Sequence, residues 1–276
     1  MKDIVEGKLI IIGGAEDKEG SKEILKVVCQ SINKENDFLV IATIATENPE
    51  EAGKKYTEIF NNLGVKNISI LDVKERNEAH NEENINMLRK AALVFFTGGD
   101  QLRITSILGG TPLHEEIKQS YTRGCIYVGT SAGASVMSST MIVNGIDEES
   151  PKKCTLKMAP GLDLIDGVII DQHFAQRGRI GRLLVGIAEN PGTLGIGIDE
   201  DTAIIVDNKG VFNVIGSGAV YVIDGCNISY SNVSEQYQEE LLSMFDVKMH
   251  VLKEGNGFNL LTRRPLEEEG YNNENK

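Results

Sequence analysis

The chain has 276 residues, 41% of them hydrophobic and 25% charged, a composition with enough apolar side chains for a sizeable core in one large or two small domains. Its net charge of -13 disfavours a nucleic-acid surface, which needs clustered Lys and Arg to neutralise phosphates. No stretch approaches the roughly 18 apolar residues of a membrane span, and the opening MKDIVEGKLIIIGGAEDKEG is unlike the apolar region of a secretory signal, so a cytoplasmic protein without a membrane partner is expected.

In chain order, KLIIIGG (8–14) reads as a buried strand, and residues 21–32 place Ile24, Leu25, Val27, Val28 and Ile32 at helical spacing. FLVIATIA (38–45) repeats the strand, and a helix follows with Pro49 at an early position. NISILDV (67–73), a helix near 81–91, ALVFFTGG (92–99), a helix near 112–122 and CIYVGT (125–130) continue the alternation. Strands that are apolar throughout and separated by helices predict a mostly parallel sheet covered on both faces, an α/β chain in three layers. VIIDQHF (168–174), a helix near 179–189 and LGIGIDEDTAIIVD (194–207) keep the rhythm. Short runs over 211–231, separated by turns such as Asn208-Lys209-Gly210, predict antiparallel strands that extend the sheet. No linker or internal repeat is visible, so residues 1–264 are expected to form a single domain and 265–276 a loosely ordered polar tail. Cys29, Cys125, Cys154 and Cys226 have no CxxC spacing, and Cys29 and Cys125 sit in apolar runs, so reduced thiols are expected rather than bridges or a metal site.

Gly129-Thr130-Ser131-Ala132-Gly133 fits G-x-S-x-G, in which a serine is presented on a strained strand-to-helix turn. Two readings fit this pattern: a nucleophile, with the following backbone N–H facing an oxyanion, or a tight turn whose small residues allow close strand–helix packing. Of four histidines, His80 and His114 lie in polar helical stretches and His250 among alternating residues near the C-terminus. His173 ends a buried strand, at the edge where open α/β sheets build their sites, and is a candidate base or a core histidine bonded to a carbonyl. A carboxylate to orient it could come from Asp199, Glu200 or Asp201. The order Ser, His, acid is not that of the α/β-hydrolases. Gly13-Gly14 lacks the spacing of G-x-G-x-x-G, no P-loop follows, and no His or Cys cluster suggests a metal, so no cofactor is expected.

Four segments together, FFTGGDQLR, GTSAGASVMS, IIDQHFAQRGRIGRL and GIGIDEDTA, resemble the cyanophycinases, in the serine peptidase family that also contains aspartyl dipeptidase. The resemblance runs in order from about Gly7 to Asp224. It implies a class I glutamine-amidotransferase-like (flavodoxin-like) fold and a triad of Ser131, His173 and Glu200, selecting Glu200 from the acid cluster. It implies oxyanion donors at Ala132 and at Gly99 or Asp100, and substrate-lining positions at Gln101, Asp171 and Gln172. The RGRIGR segment adds Arg177, Arg179 and Arg182, whose planar forks suit the carboxylates of a polyaspartate; a solvated helix face is the competing reading for Arg179 and Arg182. The implied substrate is cyanophycin, a nitrogen-storage polymer with a polyaspartate backbone carrying arginine in amide linkage, cut to β-aspartyl-arginine by an exo-acting peptidase that is often a homodimer. An aspartyl or β-aspartyl dipeptidase and a non-catalytic binding protein on the same scaffold are the alternatives; a cysteine amidotransferase is disfavoured because serine holds the elbow.

Overall fold

A computed structural model of the chain describes residues 5–147, 150–234 and 240–266. Among the described residues nine strands form one sheet. Its parallel half consists of β1 (Leu9–Ile12), β2 (Phe38–Ala42), β3 (Asn67–Leu71), β4 (Ala91–Phe96) and β5 (Ile126–Thr130), in the order β3-β2-β4-β5-β1. The intervening helices are α1 (Glu23–Gln30), α2 (Pro49–Asn62), α3 (Glu82–Lys90), α4 (Gln101–Leu108) and α5 (Pro112–Thr122). Alternate residues of each strand face opposite layers. Ile10, Ile12, Leu39, Ile41, Leu93 and Phe95 pack on α1 and α2, while Leu9, Ile11, Val40, Val94, Phe96 and Tyr127 pack on α3, α4 and α5. This two-sided burial is why the strands read as unbroken apolar runs.

α4 is a helix that the alternation of apolar runs does not reveal, because TGGD precedes it directly; the Asp100 carboxylate caps it by accepting from the Leu102 N–H at 2.8 Å. Beyond the elbow, α6 (Ala132–Ser135) is a single turn. The carbonyls of Val136 and Met137 accept from the N–H groups of Leu162, Leu164 and Ile165, which draws the chain away from helical pairing. A two-stranded ladder of β6 (Thr140–Asn144) and β7 (Lys157–Pro160) follows.

The C-terminal half departs from a simple continuation of the parallel sheet. β8 (Val168–Gln172) leads through α7 (Ile180–Glu189) to β9 (Leu194–Ile198), and these strands form a second, four-stranded sheet with β12 (Val220–Asp224) and β15 (Lys248–Leu252). β9 turns Ile196 and Ile198 toward the large sheet and its glycines toward Leu183, Ile187 and Phe174, so one face of this small sheet joins the main core and the other is covered by α7. β10 (Thr202–Val206) and β11 (Val211–Gly216) extend the large sheet antiparallel from β1; of the runs over 211–231 expected to extend it, β11 does so, whereas β12 lies in the small sheet. The two-residue strands β13 (Tyr230–Ser231) and β14 (Met244–Phe245) pair with each other.

β16 (Gly257–Asn259) and β17 (Arg264–Pro265) complete the large sheet's edge. Order therefore continues past residue 264, with the Leu266 N–H donating to the Gly257 carbonyl at 2.8 Å; positions 267–276 of the expected tail lie outside the described residues. All four cysteines are free, Cys29 and Cys125 buried, Cys154 and Cys226 exposed. No helix among the described residues is long and apolar enough to cross a membrane.

Candidate active site

Ser131 follows the last residue of β5 with φ 56° and ψ -112°, a backbone conformation that L-residues rarely adopt and that persists only where its surroundings hold it. The flanking glycines make the elbow possible. A Cβ at Gly129 would lie 2.2 Å from the Gly133 carbonyl oxygen, and one at Gly133 would lie 2.5 Å from that of Phe96. The Ser131 N–H donates to Ile12 at 3.1 Å, tying the elbow to the end of β1.

His173 is the first residue after β8, is only 8% exposed, and also has positive φ, 48°. Its Nε2 lies 2.9 Å from Ser131 Oγ, and its Nδ1 lies 2.6 Å from Glu200 Oε1. A carboxylate at Nδ1 favours the tautomer with hydrogen on that nitrogen, which leaves Nε2 to accept the serine proton. Burial lowers the His173 pKa from its ordinary value, while the Glu200 hydrogen bond opposes the shift and the nearby Arg177 charge adds to it. A neutral imidazole results, suited to act as a base.

The acid cluster divides by contact. Glu200 alone faces His173, and its own N–H donates to Gln176 Oε1 at 3.0 Å. Asp199 accepts from the N–H groups of Ala175 and Ala219 at 2.9 and 3.1 Å, clipping two loops together. Asp201 accepts from the Asp17 N–H and the Ser217 hydroxyl at 2.9 and 2.8 Å. Gln176 is an unforeseen contributor, and no spacing signal marks it.

The Gly13-Gly14 pair, which has no nucleotide spacing, has a place under the histidine. The His173 N–H donates to the Gly13 carbonyl at 2.8 Å, and a Cβ on Gly14 would sit 2.4 Å from the imidazole ring atoms Cε1 and Nε2. Gly14 also has φ 100°, so an alanine is strained there as well as obstructed. Gly14→Ala is expected to displace the ring and lower kcat by about 100-fold, because misplacement by an ångström costs that much. Its backbone strain is expected to destabilise the fold by about 1–3 kcal/mol, seen as a lower Tm. An alanine variant with full kcat would show that the ring does not need this floor.

Two oxyanion candidates keep their standing and one loses it. The Asp100 N–H is spent on the Ala45 carbonyl at 2.9 Å, so of the pair Gly99 and Asp100 the glycine is left, beside Ala132. Asp100 instead fixes the loop and caps α4.

The substrate-lining expectation needs a larger correction. Arg179 and Arg182 are 5% and 6% exposed, neither on a solvated face nor open to a ligand. Arg182 grips the buried Asp171 with two nitrogens, Nε at 2.7 Å and Nη2 on the other oxygen, and its Nη1 reaches Asp147 at 3.0 Å. Arg179 donates to Asp147 at 3.1 Å, to the Gln172 carbonyl at 2.7 Å and to its side-chain oxygen at 2.5 Å. Gln101 donates its amide to the Ile142 and Val143 carbonyls, both at 3.0 Å, bracing α4 on β6. The sequence could not show this, because charge at the end of an apolar strand looks alike whether it faces a ligand or a buried partner. Arg177 is the arginine of this segment that stays exposed, beside His173.

Among the described residues no group of three or more His, Cys, Asp and Glu side chains could hold a metal ion. The arrangement of hydroxyl, imidazole and carboxylate can transfer a proton from serine to histidine while the oxygen attacks a carbonyl.

Residues 9–214 match peptidase family S51. The chain is 38% identical to a cyanophycinase of Geminocystis herdmanii over 96% of its own length and 98% of that protein, and 38% identical to one of Trichormus variabilis over 94% and 87%. A cyanophycinase of Synechococcus elongatus is 36% identical over 94% of this chain and 81% of its own. Among solved structures, a peptidase from an acI-B1 actinobacterium shares the fold with a TM-score of 0.69 at 23% identity, covering 93% of this chain and 98% of that one. A putative peptidase E protein of Listeria monocytogenes aligns with a TM-score of 0.54 at 16% identity, covering 77% and 99%.

Proposed function

The chain belongs to peptidase family S51 and is a serine-type peptidase, and we propose that it degrades cyanophycin from the chain end, releasing β-aspartyl-arginine through a Ser131-His173-Glu200 triad and an acyl-enzyme. The observation that carries this reading is the unbroken hydrogen-bonded line from Ser131 Oγ through the imidazole to Glu200, at 2.9 and 2.6 Å. Curated relatives of this identity and coverage are cyanophycinases, which supports the substrate.

In the proposed cycle His173 Nε2 takes the Ser131 proton as Oγ bonds to a backbone carbonyl carbon of the polymer. The N–H groups of Ala132 and Gly99 face the oxyanion, each donor contributing roughly 100- to 1,000-fold in turnover. The carbon–nitrogen bond breaks and His173 gives its proton to the leaving amine; water, deprotonated by the same imidazole, then bonds to the acyl carbon, the bond to Ser131 Oγ breaks, and His173 returns the proton to that oxygen. Arg177 is the residue proposed to meet a substrate carboxylate directly. The ion network of Asp171, Arg179, Arg182 and Asp147 holds β8 and the start of α7, and so the His173 turn between them. The net charge of -13 favours approach of a polymer bearing arginine side chains. The reading includes a cytoplasmic location and a homodimer, for which the β15 edge, with Met249 and Val251 exposed, supplies an apolar surface.

The test is incubation with insoluble cyanophycin, following turbidity and the mass of what is released. Clearing with β-aspartyl-arginine as product is expected. Hydrolysis of aspartyl or β-aspartyl dipeptides without clearing would replace the polymer by dipeptides as the substrate, and binding to granules with no product would make the chain a binding protein.

A further inference from the structure

A buried carboxylate outside the triad remains without a role in this chemistry. Glu16, in the loop after β1, has a fully buried side chain. One oxygen accepts from the Tyr56 hydroxyl on α2 at 2.5 Å, the other from the Thr130 hydroxyl at 2.5 Å, and Lys18 closes over it with its ammonium 2.9 Å away. Burial and the Glu16 charge hold the Tyr56 phenol protonated, so it stays a donor. Burying a carboxylate is costly even when paired, so stability alone is a poor account of it.

Its partner explains its place. Thr130 immediately precedes Ser131, whose φ of 56° must be held by its neighbours. The same short loop contacts His173 and Asp201, the residue next to Glu200. The Gly13 carbonyl receives the His173 N–H at 2.8 Å, the Gly14 carbonyl receives the Asp201 N–H at 2.9 Å, and the Asp17 N–H donates to Asp201 Oδ1 at 2.9 Å, one residue from Glu200. Residues 13–17 thus connect the ends of β5 and β8 and the β9–β10 turn, and Glu16 is the side chain that locks this loop to the elbow.

We propose that Glu16 is a positioning residue, fixing Thr130 and through it the backbone at Ser131 so that the hydroxyl aims at His173. The inference rests on the reading of Ser131 as nucleophile. It predicts a loss in kcat and in acylation without a loss in substrate binding.

The experiment compares Glu16→Gln, Thr130→Val, their double variant and Thr130→Ser with the wild type. Steady-state kinetics on cyanophycin are measured together with the rate of Ser131 labelling by a fluorophosphonate, which does not depend on the polymer. Glu16→Gln and Thr130→Val are each expected to lower kcat and labelling by roughly tenfold to a hundredfold with KM within about twofold. The double variant is expected to lose no more than the worse single one, because both remove one interaction, and Thr130→Ser, which keeps the hydroxyl, is expected to stay within about threefold of the wild type.

A lower Tm with kcat and labelling unchanged would overturn the inference, as would losses that multiply in the double variant. If Glu16→Gln does not fold, full labelling of Thr130→Val overturns it alone. Wild type that is labelled at Ser131 but leaves the polymer intact would remove the substrate reading and not this one; wild type that is not labelled would remove both.

Discussion

Ser131→Ala is expected to abolish clearing of cyanophycin, lowering kcat by a factor on the order of 10⁶, the size of loss seen when a serine nucleophile is removed from a working triad. Only one atom is deleted, and its hydrogen bond is to His173 Nε2 at 2.9 Å. The elbow is held by other groups: the Ile12 carbonyl on the Ser131 N–H, the close approach of Gly129 to Gly133, and the Thr130 side chain on Glu16. Alanine has the same backbone restrictions as serine, so the Tm is expected to stay at the wild-type value, and the loss cannot be ascribed to unfolding. Binding of the variant to cyanophycin granules should persist, since no substrate-binding group is touched. Retention of more than about a tenth of the activity would mean that the attacking group is a water activated elsewhere, and the acyl-enzyme would go with it.

The sequence carried the parallel half of the sheet well because strands buried on both faces are apolar throughout and the helices between them show clear periodicity, as in β2, α2 and β4. It also singled out Ser131 and His173, and the structure sets these and Glu200 within hydrogen-bonding distance although 42 residues separate the first two and 27 the second pair. The elbow motif and the strand-end position of His173 are local signals. Glu200 was chosen by resemblance, since three adjacent acids are indistinguishable until the strand-end geometry is known.

Three features were hidden for physical reasons. The second sheet was invisible because β8 and β9 are buried along their length as β4 is, and the partner of a strand is not written in its own pattern. The mutual pairing of Asp171, Arg179 and Arg182 was hidden because a paired buried charge and a ligand-binding charge have the same residue types. Gly14 and Glu16 act through contacts to residues more than 100 positions away, and nothing in GGAEDKEG signals them.

Glu200→Gln separates orientation of the base from the presence of the base. The amide keeps the size of the side chain but carries no charge, and its NH₂ group can turn toward Nδ1, which would place the imidazole hydrogen on Nε2 and face a donor toward the serine. A fall in kcat of about 10³- to 10⁴-fold is expected, close to what loss of the orienting acid costs in other serine peptidases. The pH profile gives an independent reading. In the wild type the rate should rise with pH as His173 loses its proton, with a midpoint below that of an ordinary histidine, because burial disfavours the cation more than Glu200 supports it. Glu200 raises the His173 pKa through its hydrogen bond and its charge, so its replacement leaves burial and the Arg177 charge unopposed. The midpoint of the residual activity should therefore move to lower pH, and the variant should reach its small plateau earlier on the pH scale than the wild type. A midpoint that stays in place together with a large loss of kcat would mean that Glu200 acts on the substrate rather than on the imidazole. A midpoint that falls with kcat preserved would mean that the contacts of the His173 turn, its N–H on Gly13 and the ion network around Asp171, already orient the ring without it.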